Sequence, residues 1–152
     1  MTAWSYSSLK TFGQCPKKYH HLKILRDVKD TGSVATVYGS EVHSAAEEYI
    51  KEGTPLPSRF RFLSGLMSSI DALPGDKLTE LKLGVAKTDT GYKPTKFFAE
   101  DVWWRGIADL VILRDTTALS IDYKTSKNSR YADTKQLDAV AAALFVHYPH
   151  LT

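Results

Sequence analysis

The hydrophobic period of this chain changes at Pro74-Gly75, and that change restricts the folds open to it. Before it, apolar residues recur at helical spacing; after it, they alternate as in strands until a last helical stretch. Ser7 reads as the N-cap of a short helix, SLKTFGQ, with Leu9 and Phe12 on one face. Pro16 suits the first turn of a second, PKKYHHLKIL, in which Tyr19 and Leu22 follow at helical spacing. Residues 38–51 form the clearest helix, with Val42, Ala45, Ala46 and Tyr49 as its apolar stripe and Gly53 as its stop. Residues 60–73 form another. LTELKLGVA then alternates, TDTGYKPT reads as a turn, and KFFAEDVWWRGIADLVILRD supplies one or two strands. VWWRGIADLVIL and ALSIDYKT read as a hairpin turning near Asp115-Thr116. Residues 135–148 close the chain as a helix with Leu137, Ala141, Leu144 and Phe145 buried. The order predicts an α/β domain in which helices flank a small central mixed β-sheet.

The 152 residues suit one domain, and 43% apolar with 24% charged residues is an ordinary soluble balance. A net charge of +3 says little about partners. Its placement says more: Lys10, Lys17, Lys18, Lys23, Arg26 and Lys29 face only Asp27 and Asp30 in the first thirty residues. That is either a solvated helix face or a surface for a polyanion. With Cys15 alone, one copy of the chain cannot build a disulfide framework, a zinc ribbon or a cysteine-ligated iron–sulfur cluster. The first residues lack the apolar run of a signal peptide, and no stretch nears the length needed to span a bilayer.

Two carboxylates sit where burial would be costly without a purpose. Asp109 interrupts the apolar strand GIADLVIL, and Asp122 lies in LSIDYKT on the next. Across the hairpin they can converge. Asp122 and Lys124 project together, with Tyr123 turned the other way. Hard oxygen ligands suit Mg²⁺ or Mn²⁺, and a nearby lysine can place positive charge beside a phosphate. The triplet D-x-K also occurs by chance on exposed strands. His43, with Glu47 one turn later, is either a third ligand or a structural histidine. Glu80 is either an acidic site member or a solvent-facing partner of Lys82. Gln136 opens the last helix and is either a hydrogen-bonding partner for a phosphate or base or an unremarkable glutamine at a helix start.

Five segments, in order, resemble the RecB-like branch of the PD-(D/E)XK nuclease superfamily: SYSSLKTFGQCPKKYHHLKI, YGSEVHSAAEEY, RGIADLVI, SIDYKTSK and QLDAVAAAL. The resemblance implies a restriction-endonuclease-like core with N-terminal helices, as a single domain over residues 1–152 that is either a minimal version or lacks C-terminal elements of its relatives. His43, Asp109, Asp122 and the Tyr123 carbonyl would hold Mg²⁺ or Mn²⁺; Asp109, Asp122, Lys124 and Gln136 would be catalytic; Glu47 and Glu80 would be additional acidic groups. Trp4, Tyr6, Ser7, Lys10, Lys127 and Arg130 would meet DNA, unless Trp4 and Tyr6 serve packing. Many relatives carry cluster-binding cysteines; here only Cys15 remains, so no iron–sulfur cluster is expected. Val140 stands where relatives have tyrosine. The implied activity is metal-dependent hydrolysis of DNA, from ends or on single strands, in recombination, repair or phage DNA processing. The implied setting is the cytosol of a bacterium or of a phage-infected host, with a homo-oligomer or a recombination or replication protein as partner. A non-catalytic single-strand-binding or assembly module on the same fold is the alternative, and a nuclease acting on RNA or cutting internally is a third reading.

Overall fold

The computed structural model describes residues 3–29, 34–125 and 133–152. Helix α1 is Tyr6–Gln14, α2 is Pro16–Tyr19, α3 is Val34–Glu52, α4 is Ser64–Asp71 and α5 is Lys135–His147. The strands are β1 (Asp76–Thr88), β2 (Gly91–Thr95), β3 (Val102–Arg114) and β4 (Thr117–Ile121), in the order β2-β1-β3-β4. All three pairings are antiparallel. The sheet of named strands is thus antiparallel throughout rather than mixed; the parallel pairing among the described residues is an isolated bridge outside those strands, in which Trp4 joins the edge of β3 beside Trp104. Its N–H donates to the Trp103 carbonyl at 2.8 Å, and its carbonyl accepts from Arg105 N–H at 2.8 Å.

Three layers follow from burial. On one face Leu83, Val85, Trp104, Ala108 and Val111 pack against Val140, Ala143 and Leu144 of α5. On the other, Leu110 and Ile112 pack against Ala46 of α3 and Met67 and Ile70 of α4. Each fully buried aliphatic side chain contributes roughly 1.5–3 kcal/mol. Among the described residues no helix is long and apolar enough to cross a membrane.

The sheet is irregular where the carboxylates lie. Leu78 and Leu81 enter the same core, as do Ala108 and Val111, although residues three apart on a regular strand face opposite ways. The change of face falls at Glu80, in the left-handed region at φ 48°, and opposite it at Asp109. The register is unbroken across it, Thr79 pairing with Leu110 and Leu81 with Ala108, and shifts only between Val85 and Ala86. The irregularity re-aims the side chains of two acids that face each other across the ladder.

Several expectations are corrected. The cap of α1 is Ser5, not Ser7: Ser5 Oγ accepts from Ser8 N–H at 3.2 Å, and Ser8 Oγ accepts from Ser5 N–H at 2.8 Å. Three serines compete there, and the reciprocal pair three apart satisfies two free N–H groups at once. The second helix is α-helical only to Tyr19. A π-helical turn, His20–Leu25, follows and ends at Arg26 in the left-handed region. The helix expected over 60–73 divides into a 3₁₀ segment, Ser58–Leu63, and α4. Residues 91–95, expected as a turn, form β2 after a two-residue turn. That strand is a polar sheet edge carrying Pro94, so it shows no apolar alternation. Residues 96–101, expected in a strand, form a loop. On α5 the buried stripe is Val140, Ala143 and Leu144, while Phe145 is exposed. Asp122 lies just past β4, and β4 is an edge of the described sheet rather than a central strand.

Candidate metal centre and active site

Val42, Ala45 and Ala46 anchor α3 by burial, and this sets His43 beside Glu80 and Asp109 of the sheet. His43 Nε2 lies 2.7 Å from the Tyr123 carbonyl oxygen, and His43 Nδ1 lies 3.5 Å from Asp109 Oδ2. A carbonyl only accepts, so Nε2 donates. With a carboxylate at Nδ1 as well, the doubly protonated ring satisfies both contacts. The hydrogen bond with Asp109 accordingly raises the His43 pKa, burial opposes this, and the Tyr123 carbonyl and Asp122 add to the rise. Tyr123 N–H donates to Asp109 Oδ2 at 2.8 Å, so the backbone of this one residue touches both side chains. The Tyr123 ring packs with Ile121 on the α3–α4 core, edge-on to His43. Burial first, then the Asp109 charge, pushes its hydroxyl up to about 12.

Glu80 completes the cluster. One ligand atom from each of His43, Glu80 and Asp109 lies within 4.8 Å of the others. Glu80 is pushed up by burial, then by the charges of Asp109 and Glu47, against partial relief from His43 and Lys82. Glu80 thus lies in a group of side chains that could hold a metal ion. Glu47 stands nearby on α3 but turns to Lys51 at 3.8 Å.

Asp122 and Lys124 project together, as expected, with Lys124 Nζ 2.6 Å from Asp122 Oδ2. Gln136, at the start of α5, spans the pair. Its Nε2 donates to Asp122 Oδ1 at 3.0 Å, and its Oε1 accepts from Lys124 Nζ at 3.2 Å. The structure thus forms two adjoining groups, His43–Glu80–Asp109 and Asp122–Lys124–Gln136, joined through the Tyr123 backbone. An imidazole, several carboxylates and a carbonyl make a donor set that fits Mg²⁺ or Mn²⁺. In the metal-free protein, the His43 proton lies between two of the expected ligand atoms, Nε2 and the Tyr123 oxygen.

The residues expected to meet DNA divide. The Trp4 ring is stacked on Tyr19, with centroids 5.4 Å apart, and meets Phe12 edge-on; of its two readings the geometry favours packing. Tyr6 hydrogen-bonds Asp133, which pushes its hydroxyl up to about 12 and lowers the Asp133 carboxyl. Lys10 pairs with Asp133 at 3.3 Å, and Ser7 Oγ lies 3.1 Å from Ser5 Oγ. Lys127 and Arg130 lie outside the described residues. Phe97, Phe98 and Arg105, of which only Arg105 belongs to a sequence motif above, RGIADLVI, line a cavity reaching Gln136. The available signal was a pair of phenylalanines between the polar runs TGYKPTK and AED.

The profile of the PD-(D/E)XK nuclease superfamily matches residues 3–146, and the chain belongs to that superfamily. No curated protein and no solved structure matches it.

Proposed function

We propose that the protein is a divalent-metal-dependent deoxyribonuclease that hydrolyses phosphodiester bonds from DNA ends, in recombination, repair or phage DNA processing. The observation that carries this reading is the Asp122–Lys124 pair set beside the His43–Glu80–Asp109 cluster on a nuclease fold. His43, Asp109, Glu80 and Asp122, with the Tyr123 carbonyl, would hold Mg²⁺ or Mn²⁺. A cation there supplies an acidified water and neutralises phosphate charge.

The chain's own groups do the rest. Water adds to phosphorus and a P–O bond breaks, so negative charge gathers on the phosphate oxygens. Lys124 Nζ sits at the edge of the cluster to meet that charge. Before substrate arrives, Asp122 holds the ammonium, and Gln136 fixes the orientation of both. A metal ion takes a neutral imidazole, so occupation of the site opposes the protonation of His43 that Asp109 favours.

The test uses end-labelled linear DNA with Mn²⁺. Wild type should cleave, and Lys124→Ala should lower kcat about 10²–10³-fold. Circular DNA should resist, and RNA of the same sequence should be cut more slowly. Equal rates for wild type and Lys124→Ala under every metal and end condition would overturn the enzyme reading. Salt-sensitive DNA binding by a wild type that cleaves nothing would leave a non-catalytic DNA-binding module.

A further inference from the structure

We infer that a trough running from Arg26 past Phe98 and Arg105 to Gln136 takes single-stranded DNA and delivers it to the Asp122–Lys124 pair; this rests on the nuclease reading above. Two cavities, of about 610 and 380 Å³, share Phe98 and Arg105 as walls. The first opens toward Arg26 and Ala3. The second runs over Phe97, Gly106 and Ser7 to Gln136, whose side chain holds Asp122 and Lys124.

The chemistry of the walls fits an unpaired strand. At 78% exposure, Phe98 is the most exposed large apolar side chain of the described residues. It meets Phe97 edge-to-face, with centroids 4.9 Å apart. The Arg105 guanidinium lies 5.4 Å from the Phe97 ring centre and 5.7 Å from that of Phe98. Aromatic faces and guanidinium planes stack on bases of any sequence, but only on bases whose faces are free, which excludes an intact duplex. Arg26 and Arg105 form no ion pair among the described residues, so both charges are available to phosphates. Glu100 on the wall of the first cavity repels phosphate and keeps the backbone on the arginine side.

The aromatic pair is held firmly rather than left on a loose loop. Thr95 Oγ1 donates to Asp101 at 2.8 Å, Lys93 pairs with Asp101 at 3.4 Å, and Ala99 N–H donates to the Lys96 carbonyl at 3.0 Å. Gly106 gives the second cavity its floor: a Cβ there would come within 2.5 Å of the Trp104 ring.

The experiment measures binding in EDTA, where cleavage cannot intrude. The probes are a single-stranded oligonucleotide carrying 2-aminopurine and the same sequence as a duplex. Wild type should quench the single-stranded probe by stacking. Phe98→Leu, which keeps apolar bulk without a π face, and Phe98→Ala should both lose most of the quench and weaken single-strand Kd about tenfold. Their duplex affinity and circular dichroism should match wild type. Arg105→Gln should lower the slope of log K against log salt by about 0.7. Unchanged single-strand binding by both Phe98 variants, or an equal loss for duplex, would overturn the inference. A quench in wild type without Mn²⁺-dependent cleavage would support the trough and sink the nuclease reading. Cleavage without any quench would do the reverse.

Discussion

Gln136 Nε2 donates to Asp122 Oδ1 across 3.0 Å, so the first turn of α5 holds the carboxylate that follows β4. The same amide accepts from Lys124 Nζ. Gln136 is thus a positioning residue, acting through the pair it spans. Gln136→Ala should lower kcat about 10–100-fold, the range for removing a group that orients site residues, and leave KM within a factor of about two or three. Steady-state kinetics on linear DNA separates the two terms. A change in KM alone would mean that Gln136 contacts the DNA instead.

The facing pair Glu80 and Asp109 gives a second expectation. Burial first, then the charges of Asp109 and Glu47, holds Glu80 above the usual carboxylate range. A bound cation would relieve that repulsion. Glu80→Gln and Asp109→Asn should each weaken Mn²⁺ binding at least about tenfold by calorimetry. Glu47→Gln, whose carboxylate faces Lys51 and lies outside the cluster, should leave it unchanged. Metal-free Glu80→Gln should be more stable than wild type, because one of two facing like charges is gone. Wild-type Mn²⁺ affinity in Glu80→Gln would remove Glu80 from the site.

Stability should depend on pH with a sign that metal reverses. The His43 pKa is raised above 6.5, so its stabilising contribution is complete below 6.5 and is lost as pH rises through the raised value. Glu80 is raised above 4.5, so the folded state keeps a proton the unfolded chain has released, and stability again falls as pH rises. Metal-free protein should therefore melt at a lower temperature at pH 8 than at pH 6. Mn²⁺ needs both groups deprotonated, so the gain in Tm on adding it should be larger at pH 8. Thermal melts with EDTA or Mn²⁺ at the two pH values check both signs. An equal metal-induced shift at both would exclude His43 and Glu80 as ligands.

Legibility from sequence followed the periodicity of the chain. Long elements with strong patterns, α3, β3 and α5, were readable because burial of one face dictates them. Asp109, Asp122 and Lys124 stood out because charge in an apolar run is costly. Glu80 stayed ambiguous because its direction depends on a left-handed backbone turn within the strand, which strand alternation does not reveal. β2 was unreadable because an exposed edge strand needs no apolar alternation. Phe97 and Phe98 looked like strand residues because exposed aromatics in a fixed loop carry the same letters as a buried β-segment.

Leu110 links packing to the site. It has no exposed surface, follows Asp109 directly, and packs with Ala46 of α3, the helix that carries His43. Leu110→Ala leaves a cavity between the sheet and the α3–α4 layer and should cost about 2–5 kcal/mol. Urea denaturation should show a lower midpoint with an unchanged slope. Because His43 and Asp109 approach from the two sides of that contact, their separation should loosen as well, and Mn²⁺ affinity should fall although no ligand is altered. Leu83→Ala, in the core on the α5 side, is the matched control. It should lose comparable stability and keep more of the metal affinity. Equal losses of affinity in the two variants would mean that the site senses global stability, not the α3–β3 contact.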